Sequence, residues 1–232
     1  MSRSNMVWAL IVIVIVMGLF PPTYAAAYWQ QNGNSLCTAA NDQERARIVS
    51  DGAGGAIITW KDCRGGNYDV YAQRTDSTGT VLWTSDGVAI CTTAAGAQCQ
   101  PGISSDGAGG AIISWQDYRS GSHYDIYVQR VNSSGTVQWT TNGVAICTAS
   151  NNQEVPEIIS DGAGGAIIVW YDYRSGSDYD IYAQRVNSSG TVQWTVNGVA
   201  ICTASDYQKS ARISSDGAGG AIITWEDFRS GS

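Results

Sequence analysis

A pentapeptide, Asp-Gly-Ala-Gly-Gly, begins at Asp51, Asp106, Asp161 and Asp216, each copy 55 residues after the last. A fixed period of that length marks a repeat architecture, in which each unit buries its apolar face only against its neighbours. Trp60, Trp115, Trp170 and Trp225 keep the same interval, and a second tryptophan column runs Trp29, Trp83, Trp139 and Trp194. Cys37, Cys91, Cys147 and Cys202 form another column, as do Gln43, Gln98, Gln153 and Gln208. Residues 28–232 therefore read as a single repeat domain.

Each repeat has the pattern of β-structure. In the third, residues 157–160 lead into the glycine-rich turn at 161–165, and residues 166–170 follow as a run apolar on both faces, as a strand covered on both sides requires. Residues 172–177 read as a polar turn, 180–186 as an alternating strand, and 187–190 as a hairpin turn before the chain returns through 191–194. No window after the first segment carries a helical period of 3.6. At 44% hydrophobic and 14% charged residues, the chain has the balance of a folding sequence rather than a disordered one. Four short antiparallel strands in about 40–55 residues is the size of one propeller blade. The expected fold class is all-β: β-propeller blades, each a four-stranded antiparallel sheet, in about four repeats with the last blade incomplete.

The motif Asp-Gly-Ala-Gly-Gly-Ala-Ile-Ile-x-Trp, followed by Tyr-Asp-Ile-Tyr-x-Gln-Arg-Val-Asn-Ser-Ser-Gly-Thr-Val-Gln-Trp and Asn-Gly-Val-Ala-Ile-Cys, resembles the tandem repeats of large secreted bacterial proteins. More distantly it is similar to the delta-sixty repeats, which share the order of Asp-Gly hairpin, Arg-x-Asn-x-x-Gly segment and aromatic-x-x-x-Gly. Both resemblances imply a β-propeller, and neither family brings a defined activity with it.

Residues 1–27 have the layout of a secretory signal peptide: Arg3, an apolar run from Val7 to Phe20, then Pro21-Pro22 and small residues, with cleavage expected after Ala25 or Ala27. As a helix, the 14-residue run spans roughly 21 Å, short of the ~30 Å hydrocarbon core. The expected location is secreted or cell-surface, with no membrane span after cleavage. Four inner hairpins but three outer ones are present, so the chain reads as the front of a longer propeller, open to self-association through its blade edges.

The four column cysteines recur at equivalent places on successive blades, too far apart for disulfides, and read as small buried apolar side chains. Cys63 and Cys99 lie off the column. Cys63 replaces the aromatic found at Tyr118, Tyr173 and Phe228. It ends an inner strand of one blade, and Cys99 precedes the first strand of the next, so the two are expected to form a disulfide.

Catalytic chemistry needs residues that break the repeat. The one histidine, His123, sits in a turn, and no metal-ligand spacing or nucleophilic triad surrounds it, so no cofactor or metal is expected. Most acids are in columns: Asp51, Asp106, Asp161 and Asp216 cap turns, and Asp62, Asp117, Asp172 and Asp227 stand where Arg64, Arg119, Arg174 and Arg229 can pair with them. The formal charge of −7 excludes nucleic acid as a partner. What varies is the segment before each inner hairpin, which supplies Asp42, Glu44, Asn151, Glu154, Asp206 and Tyr207 as candidate ligand-binding residues. The expected function is a non-enzymatic exported propeller that recognises a glycan or protein outside the cell. The alternatives are a glycosidase-like hydrolase using carboxylates of those variable loops, and a structural spacer in a larger surface protein.

Overall fold

The computed structural model describes residues 11–12, 30 and 32–229. The expected signal peptide lies outside these apart from Ile11 and Val12, which pair with Asn34–Ser35 in a two-residue ladder. Every remaining element is a strand. Blade one holds β1 (Gln43–Ser50), β2 (Ala56–Asp62), β3 (Asp69–Thr75) and β4 (Val88–Cys91). Blade two holds β5 (Gln98–Ser105), β6 (Ala111–Asp117), β7 (Asp125–Val131) and β8 (Val144–Cys147). Blade three holds β9 (Gln153–Ser160), β10 (Ala166–Asp172), β11 (Asp180–Val186) and β12 (Val199–Cys202), and blade four the hairpin β13 (Gln208–Ser215) and β14 (Ala221–Asp227). Strands of a blade pair antiparallel in consecutive order. First strands of adjacent blades touch, β1 with β5, β5 with β9 and β9 with β13, which puts them innermost. The architecture is that of propeller blades stacked face to face in an incomplete ring, as the repeat predicts. Among the described residues no helix is long and apolar enough to cross a membrane.

The repeated motif explains each blade locally. Asp106 Oδ1 accepts the Ala108 and Gly110 N–H groups, both at 2.8 Å, which closes the glycine-rich turn between β5 and β6. Arg130, from β7, bonds the other oxygen of Asp106. The same arrangement recurs at Asp51 with Arg74 and at Asp161 with Arg185.

Between blades, the core is built from one face of each sheet and the opposite face of the next. Ile57, Val70 and Ala72 of blade one pack with Cys91 against Ala111, Ile113 and Trp115 of blade two, all nearly inaccessible. Burial of each large side chain contributes roughly 1.5–3 kcal/mol. At the centre lies a polar latch. Asp117 accepts hydrogen bonds from Trp115 Nε1 at 2.7 Å and from Arg119 Nη2 at 2.5 Å. Arg119 Nη2 also donates to Asn142 O at 2.8 Å and to Cys91 Sγ of the preceding blade at 3.4 Å. Its guanidinium lies 3.7 Å above the Tyr127 ring. Corresponding groups meet around Asp62 and Asp172, and in a more open form around Asp227.

The column cysteines are thus more than small apolar fillers. Burial pushes the Cys91 and Cys147 thiols up to about 12, so each stays protonated and directs its S–H to the latch carboxylate of the next blade, at 3.8 and 3.9 Å. Cys202 is only half-buried.

The expected Cys63–Cys99 disulfide is absent, and both thiols are free. Cys63 lies just past the end of β2, where its N–H donates to Asp42 O within its own blade. Cys99 lies within β5, across from Gln116, and burial raises its thiol above the ordinary range. The sequence set Cys99 ahead of this strand, whereas it lies inside it and is paired across the sheet with Gln116.

Candidate functional site

Each innermost strand carries a β-bulge at the same place. On β9, Glu154 faces Tyr171 and Glu157 faces Val169, so Val155 and Pro156 on one strand oppose Trp170 alone on the other. The pattern repeats for Glu44 and Arg47, Cys99 and Gly102, and Lys209 and Arg212. Within each bulge one residue is left-handed: Arg45 at φ 55°, Gln100 at 52°, Val155 at 53° and Ser210 at 55°. Such a conformation costs about 1–2 kcal/mol for a side chain other than glycine, and its fourfold recurrence makes it a built feature. Its consequence is directional. Glu154 and Glu157 oppose residues two apart, so they fall on one face of the sheet, as do Lys209 and Arg212.

These are also the positions where the repeat is broken. The columns read Glu44, Cys99, Glu154, Lys209; Arg47, Gly102, Glu157, Arg212; and Lys61, Gln116, Tyr171, Glu226. On both sides of the last column the tryptophan and aspartate of the latch never change.

At the boundary of blades one and two, Lys61 Nζ pairs with Glu44 at 2.8 Å and lies 3.6 Å from the Tyr68 ring centroid. At the next boundary, Gln116 Oε1 accepts the Val155 N–H at 3.0 Å, and Tyr118 meets Tyr124 edge-on at 5.0 Å. The third boundary is richest. Tyr179 has Tyr173 at 5.0 Å, Tyr207 at 6.2 Å and Tyr171 at 6.4 Å between ring centroids. Its hydroxyl donates to Glu154 Oε2 at 2.8 Å, and burial together with that bond pushes the phenol up to about 12. Lys209 Nζ sits 4.3 Å from the Tyr207 centroid and 5.5 Å from that of Tyr179. Tyr207 is 42% exposed, so the aromatic wall opens to solvent. A carboxylate, an ammonium and exposed aromatic faces converge here.

Of the residues singled out from sequence, the structure brings Glu154 and Tyr207 together through Tyr179. It places Asp42 and Glu44 on blade one, Asp42 as backbone acceptor for Cys63 and Glu44 as partner of Lys61. Asn151 and Asp206 are left-handed turn residues, at φ 62° and 66°, whose carbonyls accept the buried Gln153 and Gln208 amides. Their role is to shape the turn. Sequence reading missed Tyr171, Tyr173, Tyr179 and Lys209. The signal for Tyr171 was present: a variable position enclosed by the fixed Trp170 and Asp172.

A second set of acids lies opposite the latch aspartates. Asp69, Asp125 and Asp180 face Asp62, Asp117 and Asp172 directly across the strands, and one arginine serves each pair. Burial first, then the neighbouring carboxylate, raises Asp69 to about 6. Burial likewise lifts Asp125 and Asp180 to about 6, even with His123 beside Asp125. Repetition in three blades, with exposures of 9%, 3% and 5%, marks these pairs as part of the scaffold.

No family model and no curated protein matches the chain. Among solved structures, the chain is similar to the endo-arabinase of Bacteroides thetaiotaomicron at 16% identity, covering 86% of this chain and 72% of that one, with a TM-score of 0.49. It is similar to an α-L-arabinanase of Penicillium chrysogenum, solved with arabinobiose, at 13% identity, 79% and 52% coverage and a TM-score of 0.46. A member of the GH130 mannoside phosphorylases and glycoside hydrolases matches at 10% identity, 76% and 59% coverage and a TM-score of 0.44. The chain thus spans between about half and three quarters of these proteins. The named members of this set are enzymes acting on glycans, so the set stands beside the glycosidase-like alternative and not beside the expected non-enzymatic binding propeller.

Proposed function

We propose that the chain is the propeller part of an exported glycosidase-like hydrolase, with its sugar site at the boundary of blades three and four. The observation that carries this reading is the cluster in which Glu154, Tyr171, Tyr207 and Lys209, at variable positions of the fixed scaffold, gather around the repeated aromatics Tyr173 and Tyr179. Tyrosine faces offer a sugar ring a flat apolar surface with hydroxyls at its rim. Export follows from the leader-like segment at residues 1–27, and the tandem repeats fit with those of secreted bacterial proteins.

Hydrolysis of a glycosidic bond uses two carboxyl groups, one to protonate the leaving oxygen and one to activate water or attack the sugar. In this reading Glu154 is the carboxylate that activates water, oriented by the hydrogen bond it accepts from the Tyr179 hydroxyl. Glu157 is the second group, on the same sheet face and 3.5 Å from Arg212. Two positions along one face of a strand are about 6.6 Å apart at the backbone, so both carboxyl groups can face one sugar. The test is release of reducing ends from a panel of arabinans, mannans and acidic polysaccharides. The expected result is turnover that falls at least about a hundredfold in Glu154→Gln. Turnover unaffected by Glu154→Gln and by Glu157→Gln would overturn the assignment.

A further inference from the structure

The chain's basic residues divide into two kinds. Of 13 Lys and Arg, those at repeated positions are Arg64, Arg119, Arg174 and Arg229 of the latches and Arg74, Arg130 and Arg185 of the turns. Apart from Arg3 in the leader, the others are Arg45, Arg47, Lys61, Lys209 and Arg212, and every one lies on an innermost strand or its immediate partner. In a chain of formal charge −7, the cations not used by the scaffold are gathered where the bulge presents side chains.

Lys61 is matched by Glu44 at 2.8 Å, and Arg212 by Glu157 at 3.5 Å. Lys209 has no carboxylate within ion-pair distance among the described residues; its cross-strand partner Glu226 is exposed and not paired with it. Instead its ammonium lies over the rings of Tyr207 and Tyr179. The bulge sets Arg212 on the same face, its side chain 68% exposed. A positive charge held against an open aromatic face has the form of a site for a ring that itself carries a negative charge.

Resting on the glycan reading above, we propose that the saccharide taken at this site is a uronate, its ring stacked on Tyr207 and its carboxylate paired with Lys209. A single ammonium suits one carboxylate per sugar, and the acidic remainder of the protein repels polyanions that bind by charge alone.

The experiment is affinity electrophoresis and calorimetry of the purified chain with polygalacturonate, debranched arabinan as neutral control and dextran sulfate as charge control. Polygalacturonate is expected to bind at least tenfold more tightly than either control. Lys209→Gln removes that preference, Lys209→Arg keeps most of it, and Tyr207→Ala weakens binding with the melting temperature unchanged. Equal binding of dextran sulfate, or a Lys209→Gln variant that still prefers polygalacturonate, overturns the proposal. Arabinan preferred, and cleaved in a Glu154-dependent way, overturns the uronate assignment alone; no binding or cleavage of any glycan overturns the hydrolase reading with it.

Discussion

The latch and the bulge lie on the same inner hairpin, a few residues apart, and they follow opposite rules. The latch joins Trp115, Asp117, Arg119 and Cys91 into a buried knot that recurs in each blade with the same residue types. The bulge recurs with the same backbone, including the left-handed residue, yet no two blades present the same set of side chains there. Identical backbone with identical side chains is what stacking requires. Identical backbone with free side chains is what a site requires. The comparison locates function by asking where the repeat preserves shape but not chemistry.

The largest effect should come from the latch. Asp117→Ala leaves the Arg119 guanidinium in a buried setting without its carboxylate and removes the acceptor of Trp115 Nε1. Urea denaturation is expected to show a loss of about 3–5 kcal/mol. The same change at Asp227, where the pair is open to solvent, should move the midpoint far less. Equal losses at both positions would mean that the blade interface does not carry the stability.

Next in size is a glycine pair. Gly143 holds φ 91°, and a Cβ there would lie 2.5 Å from Trp115 Cη2. Gly143→Ala is expected to cost about 1–3 kcal/mol from overpacking on top of backbone strain. Gly107 has φ 76° with open space around it, so Gly107→Ala should cost only the strain, about 1 kcal/mol. Thermal melts of the two variants measure the difference, which is the contribution of close approach to the latch tryptophan.

Acidification gives an effect of opposite sign. Asp69, Asp125 and Asp180 have pKa values of about 6 in the fold, above their unfolded values. Between the two values the native state holds protons that the unfolded chain has lost, so their stabilisation is full at low pH and disappears as pH rises through 6. Asp62 and Asp161 run the other way. Burial works against each carboxylate, but bonds to Asp62 from Arg64 and Trp60, and to Asp161 from backbone amides and Arg185, outweigh it and hold both pKa values down. Their contribution is lost only below the usual carboxylate range. The melting temperature should therefore rise from pH 8 to about 5 and fall at lower pH. Asp125→Asn, which mimics the protonated form, should be more stable than the parent at pH 8 and should flatten part of the rise.

The smallest stability change is expected at the bulge. Glu44→Gln breaks only a half-exposed pair with Lys61 and should shift stability by less than about 1 kcal/mol. A larger loss would move the bulge from site to scaffold.

Much of this could be read without coordinates. The Asp-Gly-Ala-Gly-Gly turns, the strands around Trp170 and Tyr182, and the pairing of Asp172 with Arg174 all follow from period and residue type. The bulge does not, because Arg45, Gln100, Val155 and Ser210 are residues with no preference for the left-handed region, and only the pairing of β1 with β2 and its counterparts imposes it. The Cys63–Cys99 disulfide failed for a related reason: linear order places strand ends near each other but does not say that Cys99 lies inside β5, opposite Gln116. Tyr207 and Glu154 stood out as variable, while the residue that connects them, Tyr179, was hidden in a repeated column with Tyr68 and Tyr124.

Glu154→Gln and Asp117→Asn, measured side by side for glycan turnover and for melting temperature, test this division most directly. The account predicts that Glu154→Gln abolishes turnover with the melting temperature unchanged, and that Asp117→Asn lowers the melting temperature with turnover of the folded fraction intact. Turnover preserved in Glu154→Gln, or lost only in proportion to a lower melting temperature, would contradict it.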